Sequence, residues 1–166
     1  MKAIKEIHIN APSEDNKYSL LNITFKIFMI QIYSLYMIKA FLIATLYFLV
    51  IDLTAINLFI VKIYKSNLPS FIEVGSFKPI SAILFYLIFL GGLLYFAILP
   101  NKSYSINDAL LNGAVYGLCT YATYALTVHA VMNIFNWNIV ISDVLWGVVL
   151  SASVSALTVF TLSKIN

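Results

Sequence analysis

The sequence predicts an all-α polytopic membrane protein: four transmembrane helices in a compact bundle, preceded by an N-terminal extension. Three observations carry this. The chain is 61% hydrophobic and 10% charged, with a mean hydropathy of +0.92, outside the balance of a soluble domain. Four apolar runs lie near residues 38–61, 79–99, 109–131 and 139–162, and about 20 residues rising about 1.5 Å each cross a hydrocarbon core of roughly 30 Å. No alternating strand pattern competes with them, which argues against a transmembrane barrel. In 166 residues there is no room beside such a bundle for a soluble domain of ordinary size.

Residues 1–36 read as the extension. Met1 to Tyr18 is polar, mixed in charge and interrupted by Pro12, so a mobile tail is expected. Leu20 to Tyr36 is apolar but broken by Asn22, Lys26 and Gln31, which suits a segment lying along the membrane surface with Lys26 snorkelling. A cleaved secretory signal fits less well, because the apolar part is long and no small-residue cleavage pattern follows. Met29 and Met37 are alternative starts of translation.

The membrane domain is residues 37–166. Its first span, Ile38 to Val61, is expected to end at Lys62 and Lys65, and Pro69, Glu73 and Gly75 mark an interfacial connector. Pro79 suits the first turn of the second span, which Pro100 closes. Ser105, Asn107 and Asp108 are capping candidates for the third span. Asn133, Asn136, Trp137 and Asn138 form a polar turn with an interfacial aromatic before the fourth, which ends at Lys164.

An even number of spans puts both termini on one face. With the extension present, Lys2, Lys5, Lys17, Lys26, Lys39, Lys102 and Lys164 share that face against Lys62, Lys65 and Lys78, and both termini are expected in the cytoplasm. With a start at Met37 the counts balance and the bias vanishes.

Polar residues inside the spans are the candidate site. Asp52 lies well inside the first span and Asp143 about a turn inside the fourth, where a carboxylate costs a few kcal/mol near the bilayer centre. The end of span one, the end of span three and the start of span four must share one side, so Asp52, Tyr124, Thr127, His129 and Asp143 fall in one half of the bilayer. They can form a proton-handling cluster, or they can hydrogen-bond to one another and hold the bundle together. Gly113, Tyr116, Gly117, Thr120, Tyr124 and Thr127 recur at helical spacing on span three, and Asp143, Gly147, Ser151, Ser155 and Thr158 on span four. Gly113, Gly117, Gly147 and Ser151 therefore read as the packing seam of a helical hairpin.

The net charge of +3 is scattered over lysines, which suits anionic lipid and not nucleic acid. His8, His129 and Cys119 are too few and dispersed for a metal site, and no phosphate-binding loop or nucleophile elbow is present. No cofactor and no catalytic residue is predicted. The partners expected are membrane lipid and a membrane protein.

Asp52 in FLVIDL, Phe85-Tyr86, Gly91, Pro100, the run YATYALT from Tyr121 to Thr127, Trp137, and Asp143, Trp146 and Gly147 in a D-x-x-W-G pattern carry a resemblance. From Met37 to Leu162 the chain resembles the small bacterial inner-membrane proteins of the family catalogued as domain of unknown function 2177. The resemblance implies a four-helix protein of the bacterial inner (cytoplasmic) membrane and no established activity, with a start near Met37. It also exposes a departure, since the family pattern has an aspartate and an asparagine where this chain has Ala125 and Val128. His129, one turn after Ala125, is a candidate replacement for the missing acid. The function expected is an accessory or structural role in a membrane-lipid or envelope process. The alternatives are a proton-coupled transporter or channel component and a membrane-embedded lipid-modifying enzyme.

Overall fold

The computed structural model describes residues 14–72, 78–101, 104–132 and 134–165. Among them every regular element is helical: α1 (Glu14–Ala55), a π turn (Ile56–Ile60), α2 (Val61–Asn67), α3 (Pro79–Leu93), a second π turn (Leu94–Ile98), α4 (Ile106–Val131) and α5 (Trp137–Ile165). The chain divides into two compact units, Met1–Tyr36 and Met37–Asn166.

The first unit differs from the expected tail. Helix begins at Glu14, so the stretch to Tyr18 is not wholly irregular; residues 1–13 lie outside the described residues. From Leu21 to Leu35 the side chains are exposed, with Leu21, Phe25, Phe28, Ile30 and Leu35 among them. The polar residues form no single stripe, because Asn22 and Lys26, four residues apart, share one face, whereas Gln31 and Ser34, three apart, share another.

In the second unit the first apolar helix does not stop at Lys62. It continues through the π turn and α2 to Asn67, because exposed lysines leave the backbone ladder intact. The stop is made by Leu68, extended at ψ 149° ahead of Pro69, as a pre-proline residue favours. Residues 73–77 of the expected connector lie outside the described residues. Pro79 occupies the start of α3, where its missing N–H costs nothing. Ser105 caps α4, its hydroxyl accepting from the Asp108 N–H at 3.3 Å. Asn136 caps α5 by accepting from the Ile139 N–H at 3.1 Å. Asn133 and Lys102 lie outside the described residues.

Three helical stretches are long and apolar enough to cross a membrane: Leu21–Asn67, Pro79–Ile98 and Trp137–Ile165. The fourth expected span, α4, is less apolar than these three and remains the fourth helix of the bundle. Its 26 residues reach about 39 Å, but Asn112, Thr120, Thr123 and Thr127 with two glycines lower its apolarity. What makes α4 less greasy also lets it pack. α4 and α5 are antiparallel and meet where neither has bulk: Gly113 faces Ser151 and Ser155, Gly117 faces the Gly147 carbonyl, and Gly147 faces the Tyr121 ring.

The first helix packs on larger side chains. Phe48 is fully buried against Phe85, Tyr86 and Phe89 of α3, with ring centroids 5.3–6.4 Å apart. Tyr47 bonds Thr161 across to α5 at 2.9 Å. α3 meets α4 where the Tyr116 hydroxyl donates to the Phe89 carbonyl at 3.0 Å, over the bare backbone of Gly92. Leu90, Leu93, Ile98, Leu150, Val154 and Leu162 complete the interior.

Candidate intramembrane acid site

The antiparallel pairing of the first helix with α5 sets the site. Tyr47 meets Thr161, Asp52 meets Trp146, Tyr64 meets Asp143, and Asn67 meets Asn136 and Asn138. Both acids therefore meet the first half of α5, Asp143 nearer than Asp52 to the end where α2 stops and α5 begins.

Asp52 is the deeper of the two, 6% exposed. The Trp146 indole N–H donates to its Oδ1 at 3.2 Å, and the Tyr86 hydroxyl from α3 approaches the same carboxyl. Asp143 sits six residues into α5 and is half-buried. The Tyr64 hydroxyl donates to its Oδ2 at 2.5 Å. Tyr121 of α4 lies within electrostatic reach of both carboxyl groups, and Tyr124 within reach of Asp143. Among the described residues no lysine or histidine forms an ion pair with either acid; every polar partner is a neutral hydroxyl or indole.

A π turn makes this geometry available. Asp52 and Tyr64 are twelve residues apart, which at about 100° per residue would set them about 120° apart on a regular α-helix. A π turn acts as a one-residue insertion, and the offset falls to about 20°. The turn at Ile56–Ile60 lies between the two residues, its i→i+5 bond running from the Val61 N–H to the Ile56 carbonyl. One face of the first helix thus presents both Asp52 and Tyr64 to α5.

The remaining predicted site residues are placed differently. Tyr124 is 56% exposed and touches the cluster through Phe135, its ring centroid 6.1 Å away. Thr127 is exposed. His129, the candidate replacement for the acid absent at Ala125, lies toward the turn before α5. Its Nδ1 is 2.8 Å from the Phe135 carbonyl and its ring lies against Trp137, while Ala125 is fully buried beside Phe135 and Ile139. The residues that sequence spacing did not assign to the site are Tyr64, Tyr86, Tyr121 and Trp146. Three of them stand in the motifs singled out above, whereas Tyr64 lies in a stretch read as a connector.

Farther along α5 the interior is hydroxylic. Ser151, Ser155 and Thr158 are fully buried, and their hydroxyls have no hydrogen-bond partner. Ser151 Oγ and Ser155 Oγ lie within 2.7 Å of where a Cβ on Gly117 and on Gly113 would stand, so these hydroxyls fit only against glycine.

A family model described as predicted membrane protein (DUF2177) matches residues 37–160. The chain belongs to that family. No curated protein and no solved structure matches it. Membership agrees with the architecture above: an integral membrane protein built of apolar helices, with Asp52, Trp146 and Asp143 inside the matched segment.

Proposed function

We propose that the protein is an accessory component of the bacterial inner membrane, serving a membrane-lipid or envelope process, with both termini in the cytoplasm. The observation that carries this reading is the one-sidedness of the acidic groups in the interior. Both acids meet the first half of α5, and the rest of the α4–α5 seam offers glycines set closely against buried serines. A transporter needs ionisable or hydrated groups leading to both faces; an accessory protein needs a stable bundle and a defined surface.

Reconstitution in liposomes tests it. Purified protein is expected to give no proton flux above empty vesicles at any imposed pH gradient. Gentle extraction is expected to recover one membrane protein or lipid in fixed stoichiometry, and Gly117→Leu, which forces α4 from α5, is expected to release it. A pH-dependent flux abolished by Asp52→Asn would replace this reading with proton-coupled transport.

A further inference from the structure

Gly113, Gly117 and Ala125 of α4 are buried in the bundle. On the opposite side of the helix Asn112, Val115, Cys119, Ala122 and Leu126 recur at alternating steps of three and four residues. Val115, Cys119 and Leu126 are exposed there, and Asn112 and Ala122 are half-buried. Beside this stripe runs a groove of about 570 Å³, whose lining combines Leu111, Asn112, Val115 and Cys119 with Phe96 of the second π turn. We propose that a second copy of the chain occupies the groove, its α4 packed against this one about a two-fold axis along the membrane normal. The inference goes beyond the accessory reading and holds whether or not that reading does.

The polar chemistry of the groove selects this occupant. Two hydroxyl groups in its wall are already engaged: Tyr116 donates to the Phe89 carbonyl at 3.0 Å, and Thr120 to the Tyr116 carbonyl at 2.9 Å. Asn112 is different. Its amide has no hydrogen-bond partner among the described residues, and an amide turned to hydrocarbon loses its water without a replacement. An amide both donates and accepts, so another amide is its complement. Copies inserted in the same direction about such an axis bring equal depths together, and Asn112 then meets Asn112 with a donor and an acceptor on each side. A lipid tail would fill the groove and leave the amide unpaired.

The residue spacing selects the same geometry. Alternating steps of three and four make the seam of two helices that wrap around each other, and a single asparagine in such a seam fixes its register. Cys119 and Ala122 are small, which lets two backbones approach closely. Leu111 and Phe96, each 62% exposed, supply apolar surface on either side of the amide for the second helix to cover.

Cys119 is the single cysteine of the chain, so the unaltered protein tests the proposal. Membranes holding the full chain are treated with copper phenanthroline, and the product is read by electrophoresis without reductant. Two cysteines bridge only when their Cα atoms come within about 7 Å, so a covalent dimer that reductant dissolves is expected. In the Cys119→Ala protein, Val115→Cys is expected to restore that dimer. Leu145→Cys, on the exposed side of α5, is expected to give on the order of tenfold less. Asn112→Leu is expected to shift the detergent dilution at which half of the protein is dimeric by on the order of tenfold, read by sedimentation. Circular dichroism confirms that each variant is folded; should Asn112→Leu fail to fold, Val115→Cys and Leu145→Cys decide. No Cys119 disulfide, equal yields from Val115→Cys and Leu145→Cys, or an unchanged half-dimer point in folded Asn112→Leu overturns the proposal. A groove taken by lipid or by another protein gives the first of these outcomes.

Discussion

Asp52 is tolerated in the bundle because a neutral N–H reaches it, and this has a measurable consequence. Trp146→Phe keeps an aromatic ring against Phe59 but removes the donor to Asp52. The expected loss of stability is about 1 kcal/mol, the usual size of a polar contact between membrane helices. A double-mutant cycle with Asp52→Val, read by unfolding in mixed detergent, is expected to give a coupling of about that size; strictly additive losses would show that indole and carboxyl do not interact. The same logic separates neighbours on α4. Tyr121 packs on the Gly147 backbone and against Phe89 at 5.8 Å, so Tyr121→Ala is expected to cost about 3 kcal/mol. Thr127 is exposed, and Thr127→Val is expected to stay within about 0.5 kcal/mol of the parent. Spacing alone could not tell these two apart. Thr127 extends the glycine stripe by one more turn, but the buried face of α4 runs on to Ala125, which packs against Phe135, Ile139 and Val140, and Thr127 is left outside it.

At the scale of the element, the seam of α4 and α5 was legible because close backbone approach demands small residues at helical spacing, and the sequence displays them. A Cβ at Gly117 would meet the Gly147 carbonyl and the Ser151 hydroxyl, whereas a Cβ at Gly91 has nothing within 4 Å. Gly117→Ala is therefore expected to destabilise by roughly 1–3 kcal/mol, since backbone cannot move aside without separating the helices. Gly91→Ala is expected to be neutral or to stabilise by up to about 1 kcal/mol through helix propensity; equal effects at the two positions would refute the seam. The π turn was not legible. Ile56 to Ile60 reads as five ordinary apolar and polar residues, and only the facing of Asp52 and Tyr64 reveals the insertion. Deleting Leu58, exposed within the turn, is expected to restore a regular helix while leaving Asp52 and Tyr64 about 20° apart. The unfolding midpoint should then stay close to the parent's. Deleting Leu49 instead would turn Phe48 and Ala44 about 100° from their present partners and is expected to prevent folding.

For the whole molecule, what holds the bundle together and what orients it reside in different parts of the chain. The buried residues of the first helix begin at Ala40 and continue through Ala44, Phe48 and Asp52, whereas Leu21 to Leu35 are exposed throughout. The family match likewise spans residues 37–160. A protein begun at Met37 therefore keeps every hydrogen bond and ring contact named for the bundle, and its unfolding midpoint is expected to equal that of the full chain. Orientation is a separate matter, because it follows lysine counts and not packing. The full chain sets Lys2, Lys5, Lys17, Lys26, Lys39, Lys102 and Lys164 against Lys62, Lys65 and Lys78, and the shortened one leaves Lys39, Lys102 and Lys164 against the same three. A reporter fused after Asn166, active on only one side of the membrane, is expected to read cytoplasmic for the full chain and mixed for the shortened one. Restoring three lysines just before Met37 should make the reading cytoplasmic again without changing the midpoint. Loss of the midpoint on truncation would mean that the extension is part of the packed core, and a uniform orientation in the shortened chain would mean that something other than lysine balance orients these helices.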